Sequence, residues 1–242
     1  MELDATSLER LVPDELQPGD ATGEEALRIS LERYGFAARY VRTGRLLDVA
    51  CGVGYGTRFL TDRTKHVTAA LGVELSAAAV AYANERYAND RTGFLACDAM
   101  QFEDAEGFDT IVSIETIEHL PDPEGFVDRL VGLLRPGGHL VGSVPITPSV
   151  DANPHHLHDF TAHSFRRLVG RHGLDVLDEL VQDQPFGLRA VLSRSEARLE
   201  SMRRNLPAWY LRHPGALLSR VVSTLRHGFV NRYLTVAWRL PE

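Results

Sequence analysis

The twelve residues from Leu46 to Thr57, L-L-D-V-A-C-G-V-G-Y-G-T, constrain the fold more than any other part of the chain. They read as a short apolar strand carrying Asp48, a glycine-rich turn and the first residues of a helix. Gly52, Gly54 and Gly56 lack the Cβ atoms that would block a close approach, and they allow positive φ in the turn. The helix that follows offers unpaired N–H groups and the positive end of its dipole.

The dinucleotide fingerprint is spaced G-x-G-x-x-G and seats a pyrophosphate on the helix N-terminus. Here the spacing is G-x-G-x-G, with Asp48 four residues before the first glycine. A carboxylate there repels a pyrophosphate and suits a ligand with an ammonium group near the turn. Taken alone, Asp48 also reads as a helix cap.

Further signals follow in order. Val67 to Val73 is an apolar, β-branched run ending at Glu74; Gly93 to Ala96 is strand-like and leads into Cys97-Asp98-Ala99. Phe108 to Ile114 reads as a fourth strand, and Leu133 to Leu140 as a helix-to-strand corner through Pro136-Gly137-Gly138. Together with D-V-A-C-G-V-G-Y-G, these segments resemble the class I S-adenosylmethionine-dependent methyltransferases over residues 46–145. The resemblance implies a Rossmann-like α/β fold. It would have a mostly parallel seven-stranded sheet with helices on both faces, and a helical insertion before the last strand. It implies S-adenosyl-L-methionine as cofactor, with Glu74 on the ribose hydroxyls and Asp98 on the adenine amino group. The site it implies comprises Arg33, Tyr34, Asp48, Ala50, Cys51, Gly52, Gly54, Tyr55, Gly56, Glu74, Leu75, Asp98, Ala99, Met100 and Glu115.

Arg33-Tyr34-Gly35-Phe36-Ala37 is similar to an R-Y-x-F-A segment of methyltransferases found with glycan and natural-product assembly enzymes. That likeness would put Arg33 on the cofactor carboxylate and the Tyr34 ring over the sulfonium. The competing reading makes Tyr34 and Phe36 ordinary core aromatics.

An activated sulfonium needs mainly an aligned nucleophile. A hydroxyl acceptor must also lose its proton, for which neutral histidine is suited. Glu115-Thr116-Ile117-Glu118-His119 follows strand four, and Asn153-Pro154-His155-His156-Leu157-His158-Asp159-Phe160-Thr161 follows strand five. His119, His155, His156 and His158 are the candidate catalytic bases. His119 also reads as a residue shaping the cleft. The second group also reads as metal ligands with Asp159 or as a structural loop. Consecutive residues of an extended loop point apart, so a divalent metal is not expected, and Asp159 also reads as a cap for the helix from Ala162.

The organisation is one domain with an elaboration: residues 1–23 a mobile leader or strap, 24–182 and 233–242 the methyltransferase domain, and 183–232 a helical insertion. The insertion is rich in arginine and holds apolar spacing for two helices broken around Pro207 and Pro214. It reads as an acceptor lid, a dimer contact or a solvated basic face. Leu174–Val181 and Leu234–Leu240 read as an antiparallel pair of last strands.

A net charge of −7 gives no support to a nucleic-acid partner. No apolar run reaches membrane-spanning length, so stable membrane association is not expected. The first residues lack a signal-peptide pattern, and Cys51 and Cys97, the two cysteines, read as free thiols of a cytoplasmic protein. The expected acceptor is a small molecule or glycan, with the hydroxyl of a sugar or oligosaccharide the first choice and a homodimer possible. N-methylation of an aminosugar or aromatic amine, or a non-catalytic cofactor-binding role, stands as the alternative.

Overall fold

A computed structural model describes residues 11–16, 21–185, 203 and 205–242. Seven strands form one sheet: β1 (Gly44–Val49), β2 (Val67–Glu74), β3 (Thr92–Ala96), β4 (Phe108–Ile114), β5 (Leu134–Pro145), β6 (Asp175–Pro185) and β7 (Val230–Arg239). Their order is β3-β2-β1-β4-β5-β7-β6. Pairings from β3 through β5 are parallel, whereas β7 runs antiparallel to both its neighbours. The order reverses between β1 and β4, the place where ligands of open α/β sheets bind, outside the strands' carboxyl ends.

Helices α1 (Ala21–Ala38), α2 (Tyr55–Arg63), α3 (Ala77–Tyr87), α4 (Pro123–Leu133) and α5 (Ala162–Gly170) cover the sheet. Alternation along the strands sorts the core. Leu47 and Ile111 join Phe126, Leu130, Phe165 and Trp238 on the α4–α5 side. Leu46 and Val112, one residue away in each strand, face Tyr34, Phe36 and Leu60 on the other side. Both faces of β1 are therefore buried, which explains its unbroken apolar run.

Local chemistry sets the helix starts. Ser76 and Asp122 accept from the N–H groups of Ala79 and Gly125. Thr161 and Ser164 form a reciprocal capping box on α5. Asp159 is therefore not that helix's cap. Its Oδ1 instead accepts from the backbone N–H groups of Ser149 and Val150.

Two more helices, α6 (Leu206–Arg212) and α7 (Pro214–His227), precede β7, with Pro207 and Pro214 in their first turns. The β6–β7 ladder extends to Pro185 and Val230, four residues beyond the expected strand ends at Val181 and Leu234. The two helices are tied to the loop after β5. The buried Asp151 accepts from Arg220 and from the Tyr210 hydroxyl, and the Arg203 N–H donates to Ala152 O. At the other end, Val12 packs with Val53 and Ala79, and Asp14 accepts from Tyr82 and Arg86. The described part of the leader is thus strapped across α3 and the glycine turn. No helix of the described residues is long and apolar enough to cross a membrane.

Candidate functional site

The glycine turn connects β1 to α2, and its three glycines do different things. Gly52 has φ +59° and nothing within 4 Å of where a Cβ would stand. A Cβ on Gly54, at φ +88°, would meet the Phe94 ring at 2.7 Å and Ala83 at 2.8 Å. One on Gly56 would lie 1.9 Å from the Tyr34 ring. Only Gly52 leaves room for a ligand. The other two let the protein pack on itself.

Asp48 lies beneath this turn with no exposed surface. Its Oδ2 accepts from Thr57 Oγ1 at 2.6 Å and from Tyr34 OH at 3.3 Å, and its Oδ1 has no hydrogen-bond partner. Burial pushes its pKa up to about 7, assisted by the nearby Glu74 carboxylate and opposed by the Thr57 and Tyr34 hydroxyls. Tyr34 is itself buried, and this burial holds its phenol well above the usual range, so it stays a donor. Its ring is packed under α2 and edge-on to Tyr55, whose hydroxyl pairs with Ser30. Tyr34 is therefore a core aromatic that touches the site through Asp48, not a ring spread over a sulfonium.

Glu74 ends β2 and braces the turn: Oε2 accepts from Gly52 N–H at 3.2 Å and Oε1 from Ser76 N–H at 3.1 Å. Leu75 beside it is 74% exposed. Asp98, past β3, accepts from Met100 N–H at 2.9 Å and from Gln101, while Ala99 and Met100 lean on the main core. Cys51 is buried, and burial drives its thiol far above its ordinary pKa, so it is no nucleophile. Both cysteines are free.

Two non-glycine residues among those described have left-handed φ: Ala50 at +58° and Glu115 at +51°. They follow the carboxyl ends of β1 and β4, one on each side of the sheet's switch point. Such conformations cost free energy and collect at functional sites. Glu115 Oε1 accepts from Ser143 Oγ at 2.7 Å and lies 3.8 Å from Arg33 Nη1. Arg33 is buried, donates to Gln182 Oε1 at 3.0 Å and lies over the Tyr233 ring at 4.2 Å. Arg33 thus pins α1 to β4, β6 and β7 at the mouth of the cleft.

The four candidate histidines divide. His155 is exposed, and His158 Nε2 bonds Leu120 O at 2.9 Å. His119 and His156 come together with ring centroids 4.7 Å apart, edge to face. Glu118 joins them, fully buried, with ligand atoms of all three within 4.8 Å of one another. His155, His158 and Asp159 are held elsewhere, so the metal set weighed from sequence does not assemble. Glu118 is the residue sequence reasoning passed over. Its backbone O accepts from Leu157 N–H at 2.8 Å and His158 N–H at 3.3 Å, stitching the loop after β5 to the turn after β4.

A family model described as a methyltransferase domain matches residues 47–142. A Mycolicibacterium smegmatis protein named as a probable S-adenosylmethionine-dependent methyltransferase is 31% identical over 188 residues, 69% of this chain and 71% of that protein. This chain belongs to the class I S-adenosylmethionine-dependent methyltransferases. The phthiotriol/phenolphthiotriol dimycocerosates methyltransferase of Mycobacterium leprae is 30% identical over 172 residues, 71% of this chain and 58% of that protein. The fold also matches the N-methyltransferase NodS from Bradyrhizobium japonicum, solved with S-adenosyl-L-homocysteine. There the TM-score is 0.60 at 18% identity, over 98% of both chains.

The geometry fits the cofactor of this methyltransferase family. Asp48 keeps one buried carboxylate oxygen without a partner, Gly52 opens onto space, and the Leu75 side chain is free to cover an apolar face.

Proposed function

We propose that this methyltransferase O-methylates a hydroxyl of a sugar, oligosaccharide or related small molecule. When bound, S-adenosylmethionine supplies the methyl group as an already activated sulfonium. In this reading Asp48 and Gly52 receive the amino-acid end, Glu74 holds the ribose hydroxyls, and Asp98 with Leu75 takes the adenine. Arg33 and Glu115 close the mouth.

The observation that carries the oxygen assignment is the pairing of His119 with His156 beside buried Glu118, at the carboxyl ends of β4 and β5. A hydroxyl is a poor nucleophile until its proton leaves, and a histidine pair with a carboxylate is chemistry directed at a proton. Helices α6 and α7 form the acceptor lid in this account, the rest of the expected insertion, residues 186–202 and 204, lying outside the described residues. Their support is the Asp151 contact with Tyr210 and Arg220, which joins α6 and α7 to the loop carrying His156. The Mycobacterium leprae relative takes its name from a phthiotriol acceptor, which agrees with a hydroxyl here.

The test is a turnover screen over sugars, oligosaccharides, phenols and amines, read by release of S-adenosylhomocysteine and by product mass. A methyl ether on a sugar hydroxyl is expected, and exclusive methylation of amines would overturn the oxygen assignment. In the same assay Glu74→Ala should weaken cofactor binding about tenfold or more, the loss expected for a charge-assisted hydrogen bond. An unchanged Kd would remove Glu74 from the cofactor.

A further inference from the structure

The geometry points to a divalent transition-metal site made by Glu118 Oε, His119 Nε2 and His156 Nε2, with coordination positions left for the acceptor hydroxyl. Glu118 and His119 lie in the short 3₁₀ turn Ile117–His119 after β4, and His156 lies in the loop after β5. One ring nitrogen of each histidine and one Glu118 carboxylate oxygen lie within 4.8 Å of one another. Ligands bound at about 2.1 Å from one ion stand roughly 3–4 Å apart, so closure needs only side-chain adjustment.

Hydrogen bonds set the tautomers. His119 Nδ1 faces His155 O at 3.2 Å. A carbonyl oxygen only accepts, so Nδ1 carries the proton and Nε2 the lone pair. His156 Nδ1 lies 2.7 Å from Ser149 Oγ, which donates to Asp159 Oδ1. The hydroxyl proton is thus committed to the carboxylate, and Ser149 accepts from His156 Nδ1–H. His156 Nε2 is again the lone-pair nitrogen. A histidine that donates one N–H to a carbonyl or to a carboxylate relay, and presents the other nitrogen, has the outer-shell arrangement of metal-ligating imidazoles.

Glu118 adds a carboxylate with no exposed surface. Beside the two imidazoles it supplies the oxygen donor of a mixed nitrogen and oxygen set. Two imidazoles and a carboxylate suit zinc, iron, cobalt, nickel or manganese. The backbone bonds from Leu157 and His158 to Glu118 O hold the two loops together, so the ligands come from a preorganised junction.

The cation's role rests on the hydroxyl-acceptor reading above, whereas its binding does not; with the ion bound, the two imidazoles act on the acceptor proton through the metal and not as free bases. An acceptor hydroxyl on such an ion becomes a stronger acid. Its O–H bond breaks heterolytically, the electron pair stays on oxygen, and the proton passes to solvent. No oxidant or reductant is needed.

The experiment uses the full chain, stripped by chelator and desalted, and titrated with Zn²⁺ and Co²⁺ in the absence of acceptor. One ion per chain is expected. His119→Ala, His156→Ala and Glu118→Gln should each weaken binding at least tenfold, with S-adenosylhomocysteine affinity retained. Ser149→Ala, outside the ligand set, should weaken it by about 10–100-fold through its hold on His156. In wild type the Co²⁺ complex should show paramagnetically shifted ring N–H protons from two histidines. That readout decides the matter even if a variant fails to fold. Absence of one-to-one binding, or binding with no histidine signature, overturns the site. Binding of one ion with all four variants unaffected overturns it equally. Should the ion bind as described while only amines are methylated, the site stands and the hydroxyl reading falls.

Discussion

The two sides of the sheet's switch point are built by different means. On the β1–β2–β3 side the proposed cofactor cradle is mostly backbone and side chains within a few residues of a strand end: Asp48, Gly52, Glu74 and Asp98. On the β4–β5 side the proposed chemistry lies in side chains brought together from two loops, His119 and His156, thirty-seven positions apart. A common cofactor can be held by a stereotyped local device. An individual acceptor requires convergence that only the tertiary structure supplies.

The sharpest way to break that division is to exchange their losses. His156→Ala or His119→Ala should lower single-turnover methylation by about 10²–10⁴-fold while leaving the cofactor Kd within about twofold. Glu74→Ala should do the reverse, through Kd. Single-turnover kinetics and calorimetry on the same preparations give both numbers. If the histidine variants lose cofactor affinity as much as rate, the two sides are one site and the comparison collapses.

This asymmetry also explains what the sequence made legible. Strand, turn and helix around Leu46–Thr57 follow from local pattern, and the order of the later strands follows from alternating βα units. The individual tasks of Gly54 and Gly56 did not show, because Phe94, Ala83 and Tyr34 reach them from other elements. Tyr34 matched a motif that suggested contact with the cofactor, yet burial under α2 turned it into the donor that holds Asp48. Glu118 hid beside a more conspicuous histidine, and its partner His156 was one of three in a loop with no periodicity to orient it. Arg33 could be placed near the site by its neighbourhood in sequence. Its link to Gln182, 149 residues away, could not.

A second effect separates the sides by pH. Asp48 is buried with its pKa raised to about 7, against 3.8 ordinarily. Its folded state holds a proton that the unfolded chain releases. Its contribution to stability is therefore complete below about pH 4 and is lost as pH rises through 7. Asp48→Asn keeps an oxygen for Thr57 and Tyr34 but cannot ionise. Relative to this variant, wild type should lose at most about 4 kcal/mol between pH 4 and pH 8 in denaturant unfolding of the ligand-free protein. Saturating S-adenosylhomocysteine, whose ammonium would offset the carboxylate, should flatten the difference. A pH-independent gap between the two proteins would mean that Asp48 is ionised already when empty.

The smallest effect compares the two strained residues, Ala50 after β1 and Glu115 after β4. Both have left-handed φ, +58° and +51°. At Ala50 the strain belongs to the backbone alone, since a methyl group has no bond to keep it there. Ala50→Gly should remove about 1 kcal/mol of steric cost, partly offset by the greater freedom of glycine in the unfolded chain. The expected gain is about 0.5 kcal/mol, a rise in Tm of roughly 1–2 °C for a chain of this size. At Glu115 the same backbone is held by a side chain that accepts from Ser143 and faces Arg33. Glu115→Gly relieves the same strain but deletes that acceptor and leaves the buried Arg33 cation without its carboxylate, so stability should fall by about 1–3 kcal/mol. Opposite signs at two positions of equal φ would show that strain is local geometry on one side and tertiary constraint on the other. If both glycine variants gain stability, Arg33 does not depend on Glu115, and the acceptor side is less tightly held together than its hydrogen bonds indicate.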